Sequence, residues 1–204
     1  MNKNIFKHSL PSFCTSNSDV LRAIMIFCKC HNLPVLIEST SNQVNQHGGY
    51  SGLKPHQFAK KIRTIAKQLK YNKKSIIIGG DHLGPLPWKK VNTKTALKNS
   101  KILVRDCLKA NYNKIHIDTA VICRNEKKID RLTIIKRCDE ILNFFSKKDF
   151  KDILLVIGTE VPIAGGGHHL KSTPTSFKSI KKEINLYNTI FKKNKKLLNK
   201  NKFA

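Results

Sequence analysis

The chain has 204 residues, 40% hydrophobic and 25% charged, a balance that can bury one ordinary core and excludes a disordered chain. Its 39 Lys and Arg against 13 Asp and Glu give a formal net charge of +26, which raises the question of a polyanionic partner. No apolar run approaches the roughly 18 residues of a membrane span and Met1 to Leu10 lacks a secretory apolar core, so a cytoplasmic protein is expected.

Taken in chain order, Ser12 to Ser16 reads as a weak first strand. Asp19 to Asn32 follows as a helix, with Ser18 placed to cap it and Val20, Ile24, Phe27 and Cys28 on one face. Val35-Leu36-Ile37-Glu38 is the second strand. Pro55 to Leu69 is a helix with proline in its first turn and Phe58, Ile62, Ile65, Ala66 and Leu69 at helical spacing. Three further strands, Ile76 to Asp81, Lys114 to Asp118 and Ile153 to Glu160, alternate with helices at Thr93 to Ala110, Asp130 to Phe145 and Ser176 to Leu198. The apolar runs are nearly continuous, as in strands covered on both faces.

A strand, an acid-bearing loop and a helix, repeated about every 40 residues, predicts parallel βα units. Five such units fit either a (β/α)₈ barrel or an open doubly wound sheet, and both place function at the carboxyl ends of the strands. The barrel is favoured, because acids recur at successive strand ends and no G-x-G-x-x-G follows the first strand. A complete barrel takes roughly 250 residues. Residues 1–204 are therefore expected to form one incomplete TIM-barrel-type domain, some three βα units short, with a Lys-rich helix at about 176–198.

Four of the 13 acids, Glu38, Asp81, Asp118 and Glu160, stand at strand ends, 43, 37 and 42 residues apart. Converging carboxylates suit general acid–base chemistry, a metal or a polyhydroxylated substrate; the competing reading is that one or two cap a helix or pair with lysine. Asp81-His82 is the sharpest pair, able to transfer a proton or, through His82, to hold a metal. His116, inside a strand, reads as an interior or packing residue. Gly165 and Gly166, in a glycine run after Glu160, could offer backbone N–H groups to a phosphate or form a plain connector. The amide-rich loop after Glu38 puts Asn42, Gln43, Asn45 and Gln46 where side-chain amides could meet sugar hydroxyls.

The positive charge rests on 33 Lys and only 6 Arg, spread along the chain and accompanied by 18 Asn. That is the composition of an A/T-rich genome rather than of a nucleic-acid reader built on Arg forks and aromatics. The six cysteines form no C-x-x-C pair and read as small buried hydrophobes in a reducing compartment.

Four runs, IESTSNQVNQHGGYSG (Glu38 within it to Gly52), IIIGGDHLGP (Ile76 to Pro85), KIHIDTA (Lys114 to Ala120) and VIGTEVPIAGGG (Val156 to Gly167), closely resemble the GatZ/KbaZ family, subunits associated with class II D-tagatose-1,6-bisphosphate aldolases. The resemblance runs in order from about Pro11 to about Lys193. It implies a TIM barrel and a non-catalytic partner that stabilises a separate zinc aldolase subunit of GatY/KbaY type in galactitol, tagatose or N-acetylgalactosamine breakdown. The family has also been labelled a tagatose-6-phosphate kinase, for which no G-x-x-x-x-G-K-[ST] is present. In the catalytic relatives the Asp-His pair supplies a proton donor and a metal ligand, and Asp81 and His82 match it; Zn²⁺ is the cofactor the resemblance implies. Later strands supply two more histidine ligands there.

Two departures stand out. Pro162-Ile163-Ala164 followed by three glycines and His168 replaces the family's Pro-x-Pro-Gly-Gly-acid, and the later barrel strands are lacking. The expectation is a truncated accessory subunit whose open barrel edges favour self-association. An active metal-dependent aldolase or sugar-phosphate enzyme using Asp81, His82 and Glu160, a basic nucleic-acid-binding protein, and a non-functional remnant are the alternatives.

Overall fold

A computed structural model describes residues 10–146, 149–150, 152–158 and 176–194. Five strands, β1 (Ser12–Cys14), β2 (Val35–Thr40), β3 (Ile76–Asp81), β4 (Lys114–Ile117) and β5 (Leu154–Ile157), alternate with five helices, α1 (Ser18–Cys30), α2 (Pro55–Gln68), α3 (Thr93–Lys109), α4 (Arg131–Leu142) and α5 (Phe177–Lys193). The strands form one parallel sheet in the order β1-β2-β3-β4-β5. Each crossover returns to the adjacent strand. A doubly wound sheet would reverse direction at a switch point, and the described strands contain no reversal.

Four of the five helices start where short polar side chains can take the first free N–H groups. Asn92 accepts from Thr95 N at 2.9 Å, Asp130 from Thr133 N at 2.7 Å and Ser176 from Ser179 N at 3.2 Å. For α1 the cap is Asn17, not Ser18: its side chain accepts from Asp19 N at 2.8 Å and Val20 N at 3.1 Å. Ser18 is already the first helical residue. The fourth helix ends at Leu142 rather than Phe145, because Phe144 N and Phe145 N bond the carbonyls three residues back and tighten the last turn.

Alternation divides each strand between two faces. Ile37, Ile78, Ile115, Ile117 and Leu155 turn outward and join the core, packed with α2 residues Phe58 and Ile62 and α3 residues Leu103 and Val104. The opposite face, away from these helices and termed the inner face, carries Cys14, Glu38, Asp81, Lys114 and His116. Among the described residues no helix is long and apolar enough to cross a membrane.

Candidate functional site

The inner face is organised in rows. Sheet register aligns Cys14 with Glu38, Glu38 with Gly79, and Gly79 with Lys114. Gly79 has no side chain, so Lys114 reaches across it and places Nζ 2.5 Å from Glu38 Oε1. A Cβ at Gly79 would lie 2.5 Å from that same oxygen, inside any van der Waals limit. Ser12 Oγ donates to the other carboxylate oxygen, Oε2. Glu38 is only 3% exposed, and both its oxygens have partners, which a buried carboxylate requires.

The next row towards the strand ends holds Asp81 and His116. His116 Nδ1 lies 2.9 Å from Asp81 Oδ1, and the His82 backbone N–H points at the same Nδ1 from 3.4 Å. One nitrogen cannot donate to the first and accept from the second in the same state. The short contact with a carboxylate prevails, so Nδ1 donates to Asp81. Burial alone would raise the Asp81 carboxyl, but the His116 hydrogen bond and the charges of His82, His116 and Lys114 together hold it below the ordinary aspartate value.

His82 follows directly. Its φ is +48°, left-handed backbone in a residue with a full side chain. Three of the other such residues, Asn32, Lys70 and Asn111, lie just past the ends of α1, α2 and α3, where helices ordinarily terminate this way. His82 lies instead at a strand end, where such a conformation persists only if its surroundings enforce it. They do: Ser41 Oγ donates to His82 O at 2.9 Å, and Leu83 N donates to His116 O at 2.8 Å. The backbone at Gly84 crosses so close to β4 that a Cβ there would fall 1.6 Å from Asp118 O. The result aims the His82 ring between two carboxylates, with Nε2 3.9 Å from Asp81 Oδ1 and Nδ1 3.6 Å from Asp118 Oδ2. The two imidazoles meet edge to face, centroids 4.7 Å apart.

Asp81, His82 and His116 can each offer one ligand atom, all within 4.8 Å of one another. Two imidazole nitrogens and a carboxylate oxygen fit zinc or another first-row divalent ion, and three protein ligands leave a position for substrate. Cys14 is not part of this cluster. Burial, then the nearby Asp81 and Glu38 carboxylates, push its thiol up to about 11, and it donates to Gln43 Oε1 at 3.3 Å.

The amides after Glu38 have a different placement from the one the sequence suggests. Asn45 Nδ2 donates to Ser41 O, and its Oδ1 accepts from His47 N and Gly49 N. Gln43 Oε1 accepts from Thr40 N at 2.9 Å. Gln46 Nε2 donates to Asn99 O at 3.1 Å. These three side chains fold their own loop and anchor it to α3, and Asn42 is exposed. Asp118 does reach the site, with Oδ1 also accepting from Ala120 N at 2.8 Å. Glu160, Gly165 and Gly166 lie outside the described residues. Sequence reasoning missed Lys114, Ser12 and Ser41. Only Lys114 had a usable signal, being two residues before His116 on one strand and so on the same face.

The family model described as D-tagatose-1,6-bisphosphate aldolase subunit GatZ/KbaZ-like matches residues 1–200. The chain belongs to the GatZ/KbaZ-like family. It is 34% identical over 189 residues to a D-tagatose 6-phosphate 4-epimerase of Agrobacterium fabrum, covering 89% of this chain and 44% of that one. It is 37% identical over 161 residues to the D-tagatose-1,6-bisphosphate aldolase subunit GatZ of Escherichia coli K12, covering 76% of this chain and 38% of that one. The crystal structure of a probable tagatose 6 phosphate kinase from Sinorhizobium meliloti 1021 superposes with a TM-score of 0.79 at 28% identity, covering 93% of this chain and 46% of that one. The chain thus spans less than half the length of each of these three proteins.

Proposed function

We propose that the chain is an accessory, non-catalytic subunit that stabilises a class II D-tagatose-1,6-bisphosphate aldolase of GatY/KbaY type in galactitol, tagatose or N-acetylgalactosamine breakdown in the cytoplasm. The observation that carries this reading is the match to an aldolase-subunit family over residues 1–200. The fold goes with it: residues 1–204 are read as one TIM-barrel-type domain of five βα units. Consecutive parallel strands with a polar inner face are what a barrel wall requires, since its active groups look inward from the strand ends.

The strand-end array suits a sugar phosphate. Glu38 and Lys114 neutralise one another and form a polar floor, while Asp81, Asp118 and the two imidazoles supply hydroxyl-binding and proton-accepting groups above it. Asp81 orients the His116 ring by accepting from its Nδ1. Ser41 and the close Gly84–Asp118 crossing keep the His82 ring in place. When bound at Asp81, His82 and His116, a divalent ion would polarise a sugar carbonyl.

A second reading, a metal-dependent sugar-phosphate enzyme, is supported by that three-ligand cluster and by the relative named a D-tagatose 6-phosphate 4-epimerase. Co-expression with a GatY-type subunit separates the two. The accessory reading expects co-purification and a more stable, more active aldolase, unaffected by His82→Ala. Zinc-dependent turnover of a tagatose phosphate by this chain alone, abolished by His82→Ala, would overturn it in favour of the enzyme.

A further inference from the structure

At the opposite end of the sheet from the Asp81 cluster, a cavity of ≈ 630 Å³ opens between α2, the start of β3 and the turn entering β4. Its ionisable lining is entirely cationic: Lys60, Arg63 and Lys67 from one face of α2, and Lys73 from the short 3₁₀ turn before β3. None of the lining residues is a carboxylate. Helical spacing explains the first three, because residues 60, 63 and 67 stack on successive turns.

Two features distinguish this cavity from lysines scattered on a surface. Arg63 is fixed, its Nη2 donating to Ala110 O and Asn111 O at 3.0 Å each, which ties its guanidinium to the far wall and leaves further N–H donors on the fork. Asn113 is fixed too: Ile78 N donates to its Oδ1 at 3.2 Å, so its remaining polar group is a donor amide. The floor is apolar, formed by Ile76 and Ile78 of β3. Exposed cations gathered with a fixed guanidinium and a fixed amide donor around apolar side chains in an open concave site are the makings of an anion site.

We propose that this cavity is a binding site for a small multiply phosphorylated metabolite, separate from the strand-end site. Its size and the grouping of its cations between α2 and the turn before β4 favour a compact ligand over a duplex, whose backbone would need an extended track of charge.

Equilibrium dialysis of the full chain against radiolabelled pyrophosphate, at about 0.15 M salt where diffuse attraction is largely screened, tests this and tolerates self-association. Saturable binding at one site per chain is expected. The pair Lys67→Glu/Lys73→Glu should weaken it by about tenfold or more, as removal of charge-assisted contacts does. The charge-matched pair Lys181→Glu/Lys182→Glu, exposed on α5, should leave it unchanged. Equal losses in both pairs would reduce the effect to the net charge of +26 and overturn the proposal. Absence of saturation, or displacement of pyrophosphate by a random-sequence duplex at lower concentration than by unlabelled pyrophosphate, would overturn it as well. Because none of these residues touches the Asp81 cluster, failure here leaves the aldolase-subunit reading standing.

Discussion

Lys114 and Glu38, 76 residues apart in sequence, meet at 2.5 Å over the bare backbone of Gly79. The contact depends on three strands at once: β2 supplies the acid, β4 the base, and β3 the gap between them.

Removing one partner strands the other. Glu38→Gln should destabilise the fold by about 3 kcal/mol, the lower end for breaking a buried pair, since Lys114 retains some access to water. Gly79→Ala should do comparable damage by forcing Glu38 aside. The double replacement Glu38→Gln/Lys114→Met should recover much of the loss. Urea unfolding of the three variants checks this, and an additive double variant would refute the coupling.

Asp81 makes stability pH-dependent in a defined direction. Its folded-state pKa is lowered, so its contribution is fully present above the unfolded value of about 3.9 and is lost as pH falls through the lower folded value. Wild type should therefore be more stable than Asp81→Asn at pH 6, and the difference should shrink below about pH 4. Unfolding midpoints of both proteins across that range provide the measurement; a gap that widens on acidification would contradict the assignment.

The metal-ligand geometry predicts zinc uptake but not catalysis. The chain should bind Zn²⁺, with His82→Ala and His116→Ala each lowering affinity by at least about tenfold. It should still fail to cleave tagatose 1,6-bisphosphate on its own. Competition with a colorimetric chelator gives the affinities, and a coupled assay for released triose phosphate reports cleavage.

The sheet's outer strands and terminal helices predict self-association of the 204-residue polypeptide. In the described structure β1 and β5 each pair on one side only. Beyond β5, α5 exposes Phe177, Ile180 and Ile184, at 80, 38 and 55%, along one stripe. Beside β1, α1 exposes Val20 and Phe27. Unpaired strand edges flanked by apolar helix faces recruit further strands and helices. Sedimentation velocity should show oligomers that diminish in Phe177→Ser/Ile184→Glu, or on addition of a chain carrying further βα units. A wild-type monomer with a sharp two-state transition would remove the basis for this expectation.

Nucleic acid should bind weakly, with steep salt dependence and no sequence preference, because dispersed lysines contact phosphates without reading bases. Fluorescence anisotropy with two unrelated duplexes at several salt concentrations is sufficient; sequence-specific binding at physiological salt would reverse the reading of the +26 charge.

The sequence by itself determined the alternation of strands and helices, and the acids at the strand ends, because both are local. Continuous β-branched runs such as Ile76-Ile77-Ile78 and helical spacing such as Phe58, Ile62, Ile65 follow from how a chain repeats along its own axis. It also carried the family resemblance, through residues such as Asp81-His82. What the tertiary structure alone decided is which side chains meet. Gln43 and Asn45 look like ligand-binding amides in a list of residues, yet Asn45 is engaged within its own loop and the Gln43 Oε1 accepts from Thr40 N and from Cys14 of β1. Lys114 looks like one more surface lysine among 33, until parallel register sets it opposite Gly79 and in line with Glu38 on the strand beyond. His82 gains its left-handed backbone from Ser41 on a neighbouring strand's loop and from the β3–β4 crossing at Gly84. These are relations across strands, set by register and by where a missing Cβ leaves room, and no periodicity within a single segment encodes them.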